Sequence, residues 1–240
     1  MNRSVHDASS SCPFEPYPFQ RIVLPEKVEG DWNDIPKRGI NYVTSKNGEM
    51  SLEQQKKAVA AYYAAVAYMD EQVGKILRTL KNEGLEDNTI VIFTSDHGFH
   101  LGEHDFWMKV SLHEESVRVP MIIKVPGKQP KVCDSFVELI DLYPTVAALA
   151  GIQSSKNLQG KSLVKTFDDP KHKVRDMAFS VSQGGRSFLL RNEKWAFIAY
   201  NEDASEGIEL YDMDNDPQQF NNIALNEAYA GVVIDFKKQL

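Results

Sequence analysis

The chain has 240 residues, 42% hydrophobic and 25% charged, with a formal net charge of −7 and a pI near 5.4. That is globular material, long enough for one sizeable core with a small satellite unit, and its 27 Lys and Arg form no basic stripe, so neither nucleic acid nor an anionic membrane is the expected partner. No stretch approaches the roughly 18 apolar residues that span a bilayer, and residues 1–10 lack the apolar core of a signal peptide, so the sequence carries no export address and leaves the compartment unknown.

In chain order, residues 1–50 form an irregular, extended approach. Cys12-Pro-Phe-Glu-Pro-Tyr-Pro-Phe sets three prolines among aromatics, and Pro25 and Pro36 follow, a pattern that suits chain laid over a surface. Structureless openings of this length are uncommon in a complete domain, so an earlier segment is expected. Ser51-Leu-Glu-Gln54 is a capping box and opens a long helix. Val59, Tyr62/Tyr63, Val66, Met69, Val73, Ile76/Leu77 and Leu80 draw one apolar stripe on it, with the tyrosine pair expected in the core, and Gly84 ends it.

Ile90–Thr94 has no polar alternation and predicts a strand buried on both faces, as inside a parallel α/β sheet. A second strand is expected in Val119–Val125, and a short helix in Ile140–Gly151. After Gly151 the pattern changes. Met177–Val181, Phe188–Arg191, Lys194–Tyr200 and Ile208–Asp212 are short strand-like runs broken by turn residues, which is antiparallel material, and a final helix is expected within Asn226–Leu240. The division is therefore residues 1–50 as approach, 51–152 as part of an α/β domain, and 153–240 as a small α+β subdomain. Asp212, Asp214 and Asp216 alternate like a calcium loop, but Pro217 stands where such a loop needs glycine, so a turn is the better reading. Cys12 and Cys133 lack zinc-site spacing and are read as two thiols.

Chemistry concentrates where the Ile90–Thr94 strand ends, at Ser95-Asp96-His97-Gly98. In open α/β sheets ligands sit beyond the carboxyl ends of strands. A carboxylate beside an imidazole can hold calcium, manganese, zinc or iron, so residue type does not fix the metal. Glu103, His104 and His113 are weaker ligand candidates. Lys109, after Trp107, is a cation able to neutralise a polyanionic ester and its leaving oxygen. Arg118 can bind an anion or brace a loop carboxylate such as Glu115.

Thr94-Ser-Asp-His-Gly, Leu101-Gly-Glu-His, Trp107-Met-Lys and Glu114-Glu-Ser-Val-Arg-Val-Pro, in that order, resemble the C-terminal signature of type I sulfatases of the alkaline phosphatase superfamily, especially the iduronate-2-sulfatase and choline-sulfatase-like branch. The likeness extends to Tyr62-Tyr-Ala…Tyr68-Met-Asp-Glu-Gln-Val-Gly, Asp141-Leu-Tyr-Pro-Thr and Glu209-Leu-Tyr-Asp…Asp216-Pro…Asn221-Asn. The resemblance implies the C-terminal half of an alkaline-phosphatase-like α/β fold with a small antiparallel subdomain. It also implies hydrolysis of a sulfuric ester, on a sulfated carbohydrate or small sulfate ester. By the same resemblance Asp96 and His97 bind a divalent cation, calcium above all with manganese or magnesium as alternatives, Lys109 contacts the sulfate and its bridging oxygen, and His104 and Arg118 are substrate-side candidates. Full-length relatives of this kind are often exported, periplasmic or lysosomal.

Two family features are missing. Sulfatases use a formylglycine made from the cysteine of Cys-x-Pro/Ser-x-Arg. Cys12 is followed by Pro-Phe-Glu-Pro and Cys133 by Asp-Ser-Phe-Val, so no nucleophile is found. The paired aspartates that supply further metal ligands are absent as well. The expectation is a chain inactive alone, corresponding to one half of a sulfatase and completed by an N-terminal half. The alternatives are a phosphonate or phosphodiester hydrolase of the same superfamily and a non-catalytic module that binds sulfated glycans.

Overall fold

A computed structural model describes residues 16–40, 43–182 and 184–240; Cys12 and the Pro13-Phe14 pair lie outside them. From Pro16 to Met50 the regular pieces are two single 3-10 turns, at Phe19–Arg21 and Asp31–Asn33, and Thr44 bridges to Phe106. Helix α1 runs Leu52–Asn82, opened by the expected capping box: the Ser51 hydroxyl accepts from the Gln54 amide and the Gln54 side chain accepts from the Ser51 amide. Gly84, at φ +67°, lets the chain leave the helix in a left-handed turn that a Cβ would disfavour.

The apolar stripe on α1 is mostly uncovered. Gln55, Val59, Ala60 and Ala64 are buried on it, and Val59 and Ala60 pack with Ile22 and Trp107. Tyr62 and Tyr63, expected in the core, are exposed together with Val66, Tyr68, Met69, Ile76 and Leu77. Each tyrosine has an aromatic neighbour, Phe99 for Tyr62 and Tyr17 for Tyr63, but among the described residues only the Val59 end of the stripe is buried.

Strand β1, Val91–Thr94, corrects the sequence reading further. It pairs with β4, Met121–Lys124, and the pairing is antiparallel, with Val91 opposite Lys124 and Thr94 opposite Met121. All of β1 is half-buried, and Ile122 on β4 is 61% exposed. Parallel neighbours need a crossover that returns the chain to the starting end of the sheet. Here residues 95–120 stay at the end where β1 stops, forming the hairpin β2 (His100–Leu101) with β3 (Trp107–Met108) and the single turn α2, Glu114–Val117.

The next helix, α3, is Leu142–Leu149, with a 3-10 turn before it and Gly151 (φ +68°) after it. Asp141, fully buried, ties this corner. Its carboxylate accepts from the amides of Glu138 and Lys161, and Arg175 bridges it to Glu138. A short helix not anticipated from the sequence, α4, covers Val164–Asp168.

The last third is an antiparallel sheet in the order β5 (Met177–Ser182), β6 (Ser187–Asn192), β7 (Trp195–Tyr200), β8 (Ile208–Asp212), within a residue or so of the expected runs. Alternation puts Ala196, Ile198 and Tyr200 on one face, packed with Leu189, Tyr211 and Leu112. Phe197 and Ala199 face the other way, against Val233 and Phe236 of helix α5, Ala230–Lys237. Both faces of β7 are thus covered, one by the segment around Leu112 and the other by α5. Asp212 and Asp216 cap turn amides, as the turn reading expects. No helix among the described residues is long and apolar enough to cross a membrane.

Candidate functional site

The turn after β1 is closed by its own polar groups. Ser95 Oγ donates to the His97 carbonyl at 2.8 Å, and Asp96 Oδ1 accepts the His97 amide at 3.0 Å. Gly98 donates to the Ser116 carbonyl at 2.8 Å. A Cβ on Gly98 would stand 1.9 Å from the Glu115 carbonyl oxygen, so glycine is needed here for close approach, and the turn is locked to α2.

The hairpin returns Lys109 to this turn. His100 stands opposite Met108, and one residue further on Lys109 Nζ lies 3.0 Å from His97 Nε2. His97 Nδ1 is 2.7 Å from the Gly98 carbonyl. A carbonyl only accepts, so Nδ1 carries the proton and Nε2 presents a lone pair. That lone pair serves one cation at a time, the Lys109 ammonium or a metal ion. Asp96 Oδ2 is 3.7 Å from the same nitrogen, and its side chain is 86% exposed. The three residues singled out in the sequence therefore converge on one point, open to solvent.

The backbone around Lys109 is strained. His104, Asp105, Met108 and Val110 have φ of +55°, +54°, +76° and +104°; for a β-branched valine this is a genuine outlier. Such conformations persist where the surroundings over-determine them.

The other candidates fall elsewhere. His104 is enclosed, with Nδ1 3.0 Å from Asp31 Oδ2, so as it stands it does not meet a substrate arriving from solvent. Burial pulls its pKa down, but the Asp31 hydrogen bond and the charges of Asp31, Glu115 and Glu209 outweigh this and raise it. Arg118 is 83% exposed and 3.8 Å from Glu114, not braced on Glu115. Glu103 accepts the Leu101 amide at 2.6 Å and is a loop brace. Arg191 pairs with Glu114 at 2.9 Å and Trp195 packs on Tyr229. These two contacts hold the subdomain together.

Sequence reasoning missed a buried network behind the site. His100, His104 and His113 cluster with ring centroids 4.8–6.4 Å apart. His113 Nε2 is 3.0 Å from Glu209 Oε2, with both side chains fully buried. Glu209 also accepts from the hydroxyls of Tyr200 and Tyr211. Burial works to raise the Glu209 pKa, but the charge of His113 and the hydrogen bonds of His113, Tyr200 and Tyr211 prevail and lower it. His100, packed between two other imidazoles, falls to about 3, chiefly through burial and then through the charges of His113 and His104. The only hint in the sequence was histidine density, four of the six lying between positions 97 and 113.

The residues present fit a divalent cation only in part. Asp96 and His97 offer a carboxylate and an imidazole lone pair, and no group of three or more ligating side chains occurs among the described residues. Calcium takes six to eight oxygens. A pocket of ≈ 330 Å³ is lined by Lys27, Asp31, Trp32, His104 and neighbours, not by Asp96, His97 or Lys109.

Residues 27–152 match the model of the sulfatase family. The chain belongs to the sulfatase family. Residues 102–240 also match the C-terminal region described for N-sulphoglucosamine sulphohydrolase. Among curated sulfatases, human arylsulfatase K is 34% identical over 224 residues, covering 83% of this chain and 42% of its own length. A sulfatase of Formosa agariphila is 31% identical, covering 89% of this chain and 42% of its own. A solved 2-O GAG sulfatase, 26% identical, superposes on 98% of this chain and 53% of its own with a TM-score of 0.79. A phosphonate monoester hydrolase of Agrobacterium radiobacter, at 22% identity and a TM-score of 0.79, shares the fold. This sulfatase chain thus spans about two-fifths of the length of its curated relatives and about half of the solved ones.

Proposed function

We propose that this chain supplies one half of a sulfuric ester hydrolase site, acting on a sulfated carbohydrate or a small sulfate ester, and that an amino-terminal sulfatase half, on the same polypeptide or another, supplies the rest. The observation that carries the reading is the convergence of Asp96, His97 Nε2 and Lys109 Nζ on one exposed point. Asp96 and His97 would hold a divalent cation, calcium first with manganese or magnesium next, which when bound would polarise sulfate oxygens. Lys109, at the same point, neutralises the ester anion and the charge that develops on the leaving oxygen. The residues offer no formylglycine precursor, so the nucleophile belongs to the other half, and the chain alone does not turn over. The ordered motifs, Leu101-Gly-Glu-His and Trp107-Met-Lys in particular, support the iduronate-2-sulfatase and choline-sulfatase-like branch.

Surface area supports a second half. A folded monomer of 27.1 kDa exposes about 10,900 Å², whereas this chain exposes 15950 Å². The excess fits the open stripe of α1 and the half-buried β1/β4 pair, the faces that the other half would cover.

The test is release of 4-nitrocatechol sulfate by the chain alone and after mixing with an amino-terminal sulfatase half carrying Cys-x-Pro/Ser-x-Arg in its formylglycine form, with calcium and with manganese. The expected result is activity only in the mixture, reduced at least 100-fold by Lys109→Ala. Turnover by the chain alone, or an unaffected Lys109→Ala mixture, contradicts the reading. Preference of the mixture for phosphonate monoesters would favour the alternative within the superfamily.

A further inference from the structure

We infer that Glu209 is a positioning residue for Lys109, acting from the C-terminal sheet through His113. The inference rests on the reading of Lys109 as the sulfate-contacting cation. Lys109 sits between two residues of positive φ, Met108 and Val110, and a segment so strained relaxes unless both of its ends are held. On the amino side Trp107 is buried and its amide donates to the Val43 carbonyl. On the carboxyl side the Val110 carbonyl accepts from Ser182 Oγ at 3.0 Å and the His113 carbonyl accepts the Ser116 and Val117 amides, while the His113 side chain leads to a buried carboxylate. Ser111 Oγ accepts the His113 amide at 3.2 Å and lies 2.6 Å from His100 Nε2. His113 then places Nε2 3.0 Å from Glu209 Oε2.

Glu209 is itself immobilised. Tyr200 donates to Oε1, and Tyr211 donates to Oε2 at 2.6 Å. Gly39 lies over the cluster so closely that a Cβ there would be 2.3 Å from the Tyr200 hydroxyl and 2.5 Å from Glu209 Oε1. The anchor is thus a charged group on the edge strand β8, where it pairs with β7 of the best-covered sheet in the molecule, and Leu112, next to His113, is part of that sheet's core. Three residues lie between Lys109 and His113. A buried carboxylate 100 residues away along the chain therefore fixes where the Lys109 ammonium meets His97.

The experiment is backbone amide hydrogen exchange on the full 240-residue chain, with the ring ¹⁵N signals of His97 recorded at one fixed pH. Glu209→Gln keeps the shape and removes the charge. Arg175→Gln, which breaks the buried Arg175–Glu138–Asp141 cluster away from Lys109, is the control for general loss of stability. The expected result is that Glu209→Gln accelerates exchange at residues 108–112 by at least tenfold more than in β6 and shifts the His97 Nε2 signal, while Arg175→Gln does neither. If Glu209→Gln does not fold, Tyr211→Phe, which removes one hydrogen bond from Oε2, is expected to produce the same local pattern at about threefold. Exchange that rises evenly over the chain, or an unchanged 108–112 segment in either folded variant, overturns the inference. Failure of the sulfatase reading would show differently, as a Lys109→Ala mixture with full sulfate release and an exchange pattern that still depends on Glu209.

Discussion

The β5–β8 sheet and the β1/β4 pair are built from the same residue types and end in opposite states. β7, Trp-Ala-Phe-Ile-Ala-Tyr, has five of its six residues buried, because Leu112 and its neighbours cover one face and α5 the other. β1, Val-Ile-Phe-Thr, is no less apolar, yet all four residues are half-buried, and its partner Ile122 is 61% exposed. Apolar alternation fixes which side chains share a face, but burial depends on what packs against that face. The first region is closed by its own chain; the second is left open by the described residues, beside the point where Asp96, His97 and Lys109 meet. His100, His104 and His113 lie at the seam between them.

The largest expected effect sharpens this contrast. Phe197→Ala in the closed sheet, where Phe197 stacks on Phe236, should cost about 3–5 kcal/mol in urea unfolding of the whole chain. Ile122→Ser in the open pair should change stability by less than about 0.5 kcal/mol. Equal costs would mean that β1/β4 is already buried.

The seam should respond to pH. His100 has a folded pKa of about 3 against an ordinary 6.5. Below about pH 6.5 the unfolded chain takes up a proton that the folded chain refuses, so stability falls as pH drops from 6.5 towards 3, by roughly 5 kcal/mol at most. His100→Phe should flatten that slope, and an unchanged slope would place its cause elsewhere. His104, with a raised folded pKa, works the other way: its contribution is complete below pH 6.5 and is lost as pH rises through the folded value. Asp31→Asn should remove it.

A smaller effect belongs to α1. Ser51→Ala removes the hydroxyl that caps the helix and should cost about 1 kcal/mol. The loss should appear as fraying of the first turn in hydrogen exchange, with the β5–β8 sheet unaffected; destabilisation spread through the sheet would mean that α1 is more tightly coupled to it than its open face suggests.

Local chemistry was legible in the sequence wherever one residue type decides the outcome. Ser51 and Gln54 fixed the start of α1, Gly84 its end, and the turn residues between the short strands marked the C-terminal sheet. Asp96, His97 and Lys109 were singled out by their order and spacing, and the fold brings them together. Non-local partners were not legible. The parallel setting expected for β1 failed because an apolar run does not name its neighbour, and Tyr62 and Tyr63 were assigned to the core because a helical stripe does not reveal whether anything covers it. The partner of His104, Asp31, lies 73 positions earlier in the chain, and no local pattern names it. The pairing of His113 with Glu209, 96 positions apart, was not foreseen for the same reason.

If this chain carries half of a cation and sulfate site, as proposed, Asp96 and His97 alone should hold a metal ion only weakly. Isothermal titration of calcium and manganese into the chain alone tests it most directly, with Asp96→Ala for comparison. The account predicts binding weaker than about 1 mM, since two donors cannot satisfy a cation that takes six or more, and no difference between the two proteins. Micromolar binding lost in Asp96→Ala would contradict it, because the site would then be complete within these 240 residues.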